Sequence, residues 1–589
     1  MSSTLQAATD EVQQIERTIR QGGGAKAIAR QHEKGRLTAR ERIARLVDPV
    51  GRSALRAEAA EVVQSGFCSE SRPTQFDPHR DEIPNFQELG LWSAHGMYAE
   101  HGGAPAAGVV TGIGIIRGRR HMIIANDATV KAGAFFPMTC KKIIRAQHVA
   151  RMARLPLVYL VDSAGVYLPM QEDVFPDTDD FGRIFYLNSV LSAEGIPQVA
   201  AIMGYCVAGG GYLPVLCDTL LMTEGSGLYL AGPALVKAAI AQDVSDEDLG
   251  GASMHAEISG TIDFKEPDDE TCLFRVSTIL GKSGVLRAVE DRATGALAAV
   301  YAGDDMEKVF TTEPGRQYDV HDIINRLVDA RAEPNDHGHE SLAPNFDEYK
   351  PDFGASLVCG YARVGGHPCG IVANQGKLTD QTHIGGLTAP KKSVNMPRVI
   401  YHTSADKAAR FIMDCNQRKI PLIFLHDTTG FMVGRESEQG GIIRAGAKMV
   451  NAMSNSVVPK IVVIMGGSYG AGNYAMCGRA FEPFITFAWP AAKCSVMGAA
   501  QASGTLAMIE ERSRERRGET IDPETHKEIL AAVQASYNEQ QDIRYGAARG
   551  WVDRIIDPRK TREELIFALD AAAQGWDYTR QFRTGVLQT

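Results

Sequence analysis

Two segments decide the fold of this chain: Ile196–Tyr212 reads IPQVAAIMGYCVAGGGY, and Val458–Tyr474 reads VPKIVVIMGGSYGAGNY. Both are apolar runs that open near a proline and end in small residues, and six of their seventeen positions are identical. A continuous apolar run predicts a buried strand, and the small residues after it predict a tight turn into a helix. Such a match at a distance of 262 residues indicates an internal duplication.

Two other pairs of segments repeat in the same order. Leu155–Gly165 (LPLVYLVDSAG) and Ile420–Gly430 (IPLIFLHDTTG) share five of eleven positions, and both predict buried strands that end in an Asp-x-x-Gly turn. Thr111–Asn126 and Cys359–Asn374 each predict a β-hairpin. Because the order is preserved and the offsets lie between 248 and 265 residues, we infer two copies of one domain.

Helical patterns alternate with these strands. Lys141–Ala153 and Ser404–Lys419 are amphipathic, and each precedes a buried strand. This order predicts an α/β fold of two tandem β-α-β domains, each around a mainly parallel sheet. We expect the seam in the polar stretch 290–320, and before the first copy a polar helical arm, either solvated or wrapped around a neighbouring subunit.

Composition excludes several classes of protein. With 589 residues, 44% hydrophobic and 23% charged, the chain is globular rather than disordered. With a net charge of −9, the chain lacks the overall positive charge that is typical of nucleic-acid-binding proteins. Ten cysteines, none spaced C-x-x-C, argue against a zinc ribbon or a disulfide scaffold. Without a long apolar run or a signal-peptide core, we expect a cytoplasmic protein that does not contact membranes.

The small residues that end each repeated strand are the candidates for a catalytic site. A strand that enters a helix through glycines exposes backbone N–H groups, which attract negative charge. If that charge develops only in a transition state, the turn is an oxyanion hole. The alternative is a tight crossover in which glycine only permits close packing. The candidate catalytic residues are Ala208, Gly209, Gly210, Gly470, Ala471 and Gly472.

Competing motifs are weaker. Ser468 lies in a G-x-S-x-G sequence, but His526 is the only later histidine and the equivalent residue of the first copy is Cys206, which disfavours a serine hydrolase. Gly281-Lys282-Ser283 lacks the first glycine of a P-loop, so ATP binding is not supported.

Two charged groups leave alternatives open. The acidic loop 172–180 contains no His or Cys, so we expect a solvated loop and no metal on this chain. A basic group could meet an anionic ligand such as a nucleotide phosphate, or could be an exposed helix face; it contains Lys131, Lys141, Lys142 and Arg145.

Longer stretches resemble a known family, the carboxyltransferase (β) subunits of biotin-dependent acyl-CoA carboxylases, most closely the 3-methylcrotonyl-CoA and geranyl-CoA type. The matching stretches are ANDATVKAG (125–133), LPMQEDVFPD (168–177), FGRIFY (181–186), AGPALVKAA (231–239), DLGGA (248–252), TGFMVG (429–434), GAKMV (446–450), GGSYGAGNYAMCGRA (466–480) and SVMG (495–498). The resemblance implies two crotonase-like domains of the ClpP/crotonase superfamily. It divides the chain into a helical arm (1–30), an acyl-CoA domain (31–295) and a biotin domain (310–570).

The resemblance also implies a mechanism. The N–H groups of Ala208 and Gly209 would hold the thioester enolate, and those of Gly470 and Ala471 the ureido oxygen of biotin. Carboxybiotin would release CO2 in the closed site and the resulting biotin enolate would take the substrate proton, so that no side-chain base is required. The implied acyl-CoA ligands are Lys131, Lys141, Arg145, Ala164, Gly165, Arg183, Phe185 and Tyr186. The implied biotin ligands are Thr429, Gly430, Phe431, Gly434, Ser468 and Tyr469.

Biotin itself would come from a partner chain, because this sequence has no Met-Lys-Met. The implied partners are a biotin carboxylase and biotin carboxyl carrier (α) subunit, the acyl-CoA, and further copies of this chain, as a homo-hexamer with each site between two subunits.

Departures from the family pattern leave the acyl group open. Where methylcrotonyl-type members read FGRIFYNQA, this chain has Leu187-Asn188-Ser189, and Ser253-Met254-His255 and Ala499-Ala500 also differ. Propionyl-CoA and geranyl-CoA therefore remain alternatives to 3-methylcrotonyl-CoA. A biotin-dependent decarboxylase of the glutaconyl-CoA type and a non-catalytic assembly subunit are further alternatives. A single-domain hydratase is disfavoured by the duplication.

Overall fold

Two mixed β-sheets form the frame of the computed structural model. The structure describes residues 4–49, 76–175, 177–281, 298–313, 315–334, 340–383, 391–498 and 522–584, with isolated residues between 508 and 517. The sequence differences at Ala499-Ala500 and part of the expected seam, 282–297, lie outside the described residues.

The first sheet has eight strands. They are β1 (Phe86–Leu89), β2 (Val109–Ile116), β3 (Arg119–Asn126), β4 (Leu157–Ser163), β5 (Gln198–Val207), β6 (Thr219–Thr223), β7 (Gly227–Tyr229) and β8 (Phe264–Glu266). Their order is β1-β2-β3-β4-β5-β6-β8, and β7 pairs with β5. The first three strands are antiparallel and the others run parallel, so the predicted hairpin and the buried strands are confirmed.

The second sheet repeats this order. Its strands are β11 (Phe346–Glu348), β12 (Leu357–Val364), β13 (His367–Asn374), β17 (Leu422–Thr428), β19 (Lys460–Tyr469), β20 (Ile485–Ala488), β21 (Lys493–Ser495) and β22 (Arg554–Ile555). The order is β11-β12-β13-β17-β19-β20-β22, with β21 on β19. Three ribbons complete the strands: β9 (Ala330–Pro334) with β10 (Glu340–Pro344), β14 (Thr379–His383) with β15 (Lys391–Asn395), and β16 (Val399–Ile400) with β18 (Gly430–Phe431).

The same irregularity occurs in both sheets, which confirms the duplication. The register of β4 on β5 shifts between Val161 and Ser163, and that of β17 on β19 shifts between His426 and Thr428. These positions are equivalent in the two repeats.

Helices cover the sheets. They are α1 (Thr4–Ile19), α2 (Ala25–Glu33), α3 (Ala39–Leu46), α4 (Pro137–Ala153), α5 (Phe181–Ala193), α6 (Tyr212–Val215), α7 (Pro233–Ile240), α8 (Asp246–Gly250), α9 (Ala252–Met254), α10 (Asp269–Gly281), α11 (Met306–Val309), α12 (Val320–Leu327), α13 (His402–Arg418), α14 (Arg435–Gln439), α15 (Ile442–Ser454), α16 (Gly470–Ala475), α17 (Pro523–Gln541), α18 (Ile543–Ala548) and α19 (Thr561–Gly575). The predicted amphipathic helices correspond to α4 and α13.

The N-terminal arm is packed against its own chain. Val12 and Ile19 of α1 lie in a buried cluster with side chains of the second sheet. The indole of Trp92 donates to the buried carboxylate of Glu16 at 3.0 Å. The expectation of a solvated arm is therefore wrong: this amphipathic helix has an apolar face that the two halves of the chain cover.

The described part of the expected seam is also packed. Met306 and Phe310 are buried in a cluster that joins both sheets. Asp305, which made this stretch look solvated, accepts a hydrogen bond from Arg326 at 2.7 Å. The two halves therefore share a continuous core.

Candidate functional site

The two glycine turns lie at equivalent places, each at the carboxyl end of the central strand. β5 enters a 3₁₀ turn, Ala208–Gly211, before α6 begins. β19 enters α16 directly at Gly470. Both helices are short, because the chain must turn back to start β6 and β20 alongside the strand that it has just left.

The second turn presents its backbone to the surface. The first N–H groups of a helix have no partner within it. Gly470, the first residue of α16, has φ +51°, and a Cβ atom there would lie 2.8 Å from the carbonyl oxygen of Val496. Ala471 is exposed. The turn therefore offers backbone donors to a ligand oxygen, and it fits the predicted anion site.

A second glycine approaches each turn from the end of the neighbouring strand. The Cβ position of Gly210 lies 3.8 Å from the Cα of Gly165, and that of Gly472 lies 3.0 Å from the Cα of Gly430. The structure thus brings together candidate residues from two predicted motifs in each copy. It also shows that close packing, the alternative to an anion site, applies to Gly472.

These distances predict that alanine will have unequal effects in the two turns. In Gly472→Ala the new methyl would meet the Thr428 side chain at 2.9 Å, so we expect a loss of about 1–3 kcal/mol in stability from overpacking and at least a tenfold loss of activity. In Gly210→Ala the contacts are ordinary, and we expect nearly unchanged stability. Urea unfolding and activity assays measure both variants; equal losses would contradict the geometry.

Aromatic side chains line the approach to the first turn. Phe185 of α5 contacts Tyr212 with ring centroids 6.0 Å apart, and Tyr212 is half-exposed. The guanidinium of Arg183 lies over the exposed Tyr186 ring at 4.5 Å. The N–H of Ala164 is engaged by the carbonyl oxygen of Ala132 at 3.0 Å.

The residues of the basic group differ in their surroundings. Lys131 and Lys141 are exposed. Lys142 is buried, and its ammonium donates to the carbonyl oxygens of Ala106 and Val109. Burial lowers the pKa of Lys142 to about 7, although Glu88 opposes this.

Arg145 contacts the second half of the chain. Its guanidinium donates to Asp553 at 2.9 and 2.8 Å and to the carbonyl oxygens of Pro483 and Phe484. Its charge is thus neutralised within the chain, so the contacts place Arg145 at an interface between the halves rather than in an open anion site. The local cluster of basic residues in the sequence could not indicate a partner 408 residues away.

Several predicted biotin ligands line one edge of the second turn. Gly430 and Phe431 form β18, which pairs with β16. Thr429 binds the carbonyl oxygen of Arg398 through its N–H and its hydroxyl, at 2.8 and 3.1 Å. Gly434 precedes α14.

Ser468 and Tyr469 face other side chains. The fully buried hydroxyl of Ser468 lies 3.0 Å from His426 Nδ1 and 2.9 Å from Asn473 Nδ2. The phenol of Tyr469 donates to Gln541 at 3.3 Å. Burial raises the pKa of Tyr469 to about 12. Ser468 therefore lies behind the turn rather than on its ligand face, and its burial leaves no path for a hydrolase substrate.

Comparison with known proteins decides the family. The family model described as the carboxyl transferase domain matches residues 82–584. The chain belongs to this family. It is 40% identical over 553 residues to the biotin-dependent 3-methylcrotonyl-coenzyme A carboxylase beta1 subunit of Mycobacterium tuberculosis, covering 94% of this chain and 91% of that relative. It is 39% identical over 578 residues to the mitochondrial methylcrotonoyl-CoA carboxylase beta chain of Arabidopsis thaliana, covering 97% and 86%.

A solved structure agrees. The beta subunit of geranyl-CoA carboxylase from P. aeruginosa superposes with a TM-score of 0.77 at 30% identity, covering 99% of this chain and 96% of that one. The predicted crotonase-like fold is confirmed, and the chain is a carboxyltransferase component of a biotin-dependent acyl-CoA carboxylase.

Sequence reasoning missed a pair of buried aspartates in this carboxyltransferase. Asp162 and Asp427 are equivalent, and each accepts an N–H from the strand that leads to a turn, from Tyr205 at 3.3 Å and from Gly467 at 2.7 Å. The repeated Asp-x-x-Gly was the available signal.

The described residues of the carboxyltransferase show neither a metal-binding cluster nor a helix that could span a membrane. They contain no group of three or more His, Cys, Asp or Glu side chains that could hold a metal ion. None of their helices combines the length and the apolar character needed to cross a bilayer.

Proposed function

We propose that this carboxyltransferase moves a carboxyl group from biotin on a partner chain to a branched, α,β-unsaturated acyl-CoA, and that this ester is 3-methylcrotonyl-CoA. The observation that carries the proposal is the pair of equivalent glycine turns, one per sheet. The names of the relatives support the substrate class.

The two turns would have different ligands. The N–H groups of Ala208 and Gly209 would stabilise negative charge on the thioester oxygen, with Gly210 leaving room beside them. The N–H groups of Gly470 and Ala471 would bind the ureido oxygen of biotin. Biotin, when bound, would supply the carboxyl group. The second turn fits this ligand because Gly470 and the exposed Ala471 open helix α16, whose first N–H groups have no partner within the helix.

Other residues would position the acyl-CoA. The row of aromatic rings that includes Phe185 would contact the apolar acyl group, and Tyr186 with Arg183 would border it. The exposed ammonium groups of Lys131 and Lys141 would meet the phosphates of CoA. On the other side Thr429, Gly430, Phe431 and Gly434 would border biotin, with Tyr469 at the end of the strand.

We also propose an assembly of several copies, a hexamer, with a biotin carboxylase and carrier subunit as its partner. Tyr212 and Tyr474 support this: they are equivalent residues beside the two turns, and they are 51% and 52% exposed in the single chain. Each site would join the acyl-CoA domain (31–295) of one copy to the biotin domain (310–570) of another. The free cysteines of the described residues support a reducing compartment such as the cytoplasm.

The test is a carboxylation assay on the complex copurified from its source, with 3-methylcrotonyl-, geranyl- and propionyl-CoA, together with a decarboxylation assay with glutaconyl-CoA. We expect the highest kcat/KM with the branched, unsaturated five-carbon ester. Absence of carboxylation with every ester would overturn the proposal, and preference for the ten-carbon ester would reassign the substrate.

The chain itself should carry no biotin. No lysine lies in Met-Lys-Met, and Lys448, which precedes Met449, forms an ion pair with Asp406 on the adjacent helix α13. On an avidin blot of the purified complex we expect signal only at the mass of the partner. A biotinylated band at the mass of this chain would contradict the proposal that the partner alone carries biotin.

A further inference from the structure

A chain of hydrogen bonds lies directly behind the second turn. It joins His426 at the end of β17, Ser468 near the end of β19 and Asn473 within α16. The other imidazole nitrogen of His426 bonds the carbonyl oxygen of Met476, the residue that follows α16. The hydrogen bonds therefore connect two strands to the middle and to the C-terminal end of the helix that presents the turn.

The direction of each bond follows from its partners. The carbonyl oxygen of Met476 only accepts, so His426 Nε2 carries the proton. Burial lowers the pKa of His426 to about 4, partly opposed by the bond to Met476, so the ring is neutral at pH 7 and its Nδ1 accepts. The Ser468 hydroxyl then donates to His426 and accepts from the Asn473 amide. Every bond has a donor and an acceptor, as a stable buried network requires.

The first copy has no such network. The residues equivalent to His426, Ser468 and Asn473 are Val161, Cys206 and Gly211. A valine and a glycine provide no polar side-chain atoms, and burial raises the pKa of the Cys206 thiol to about 12. The first turn correspondingly forms a 3₁₀ segment and a four-residue helix, whereas the second is a continuous six-residue helix.

We propose that His426, Ser468 and Asn473 are positioning residues, which fix the N–H groups of Gly470 and Ala471 in the geometry that binds the biotin oxygen. This rests on the proposed function of the second turn. A preorganised donor needs no rearrangement when charge develops, so loosening it should lower the rate rather than unfold the protein. The network is thus present at the turn proposed to bind biotin and lacks an equivalent at the other turn.

The test separates the two ligands. Carboxyl transfer from the carboxylated CoA ester to free biocytin reports on the second turn, and calorimetric titration of the CoA ester reports on the first. For Ser468→Ala we expect kcat with biocytin to fall at least tenfold, while the dissociation constant of the CoA ester changes less than twofold. Asn473→Ala, at the half-buried end of the network, should behave alike even if Ser468→Ala folds poorly. The double variant should be no worse than the poorer single one, since both break one chain.

Ser356→Ala is the matched control. Ser356 is as buried as Ser468, but its hydroxyl has no partner among the described residues, so its removal should leave both readouts unchanged. Folded variants with unchanged kcat for biocytin, or with equal losses for biocytin and CoA ester, would overturn the inference alone. A wild-type protein inactive with biocytin and with biotinylated partner would overturn the proposed function itself.

Discussion

Replacing Ala471 with valine is expected to lower carboxyl transfer about 10²–10³-fold, the usual effect of removing one donor of an oxyanion hole. Ala471 is exposed in the first turn of α16, so the two added methyl groups would occupy the space in front of its own N–H. Because the side chain faces outward, the fold should tolerate the change at a cost below about 1 kcal/mol in helix propensity. The loss should therefore appear in rate and not in stability.

Bulk in the other turn should give a different pattern. Gly209→Val, in the turn Ala208–Gly211, should abolish carboxylation of the CoA ester but leave the decarboxylation of carboxybiotin in water, measured without CoA ester, comparatively intact. Ala471→Val should lower both activities, because its donor acts before any CoA ester is involved.

A valine at an exposed helical alanine outside the turns provides the control. Ala29 in α2 is such a position, and Ala29→Val should retain both activities. Sizing and circular dichroism establish that each variant is folded and assembled. If the two turn variants are folded and lose both activities in equal proportion, the assignment of one ligand to each turn is wrong.

Asp553→Ala should cause the largest loss of stability, about 3–5 kcal/mol, as expected when one partner of a buried ion pair is removed. Asp553 is 4% exposed and accepts from Arg145 of the first half and from the N–H of Thr486 in the second. Alanine would leave the guanidinium groups of Arg145 and Arg479 near each other without a counter-charge. The midpoint of urea unfolding measures the effect.

A surface pair supplies the comparison. Arg151 and Glu194 form an ion pair at the surface whose side chains are partly exposed, so Glu194→Ala should cost at most about 1 kcal/mol. Equal effects of Glu194→Ala and Asp553→Ala would show that the contact between the halves is not a stabilising element.

The same carboxylate predicts a dependence on pH. Burial disfavours the charged form of Asp553, but Arg145 and Arg479 outweigh it and hold its pKa at about 2. Since this pKa lies below the value of about 3.9 in an unfolded chain, the stabilisation is present above pH 4 and is lost as the pH falls from 4 to 2. Asp553→Ala should flatten the stability profile in this interval, and an unchanged slope would contradict the pKa.

The repeated strands could be predicted from sequence because the information is local. Runs such as Leu155–Gly165 are apolar throughout, and a buried parallel strand requires nothing else. The turns were recognisable because small residues end the same strand in both copies, with glycine at the equivalent positions 210 and 472, which one copy alone would not have indicated.

Side-chain partners could not be predicted in the same way. Arg145 looked like an anion ligand and Ser468 like part of a ligand surface, but their contacts are with Asp553 and His426. Those partners are 408 and 42 residues distant, and no periodicity encodes them. The polar composition of the arm concealed its apolar face, because amphipathic burial depends on the surface that receives the helix.

The docking of α1 has a consequence for synthesis of the chain. Glu11 binds Arg544, and Gln13 donates to Asp557, so α1 is synthesised 533 and 544 residues before these two partners. At about 5–20 residues per second, this interval is roughly half a minute to two minutes. During that time α1 can contact only the part of its native surface that the first half supplies, such as Trp92, and chaperones can bind the rest of its apolar face. The docking of α1 is thus completed late in synthesis, and a substitution in α1 acts on contacts with residues that are made more than 500 positions later.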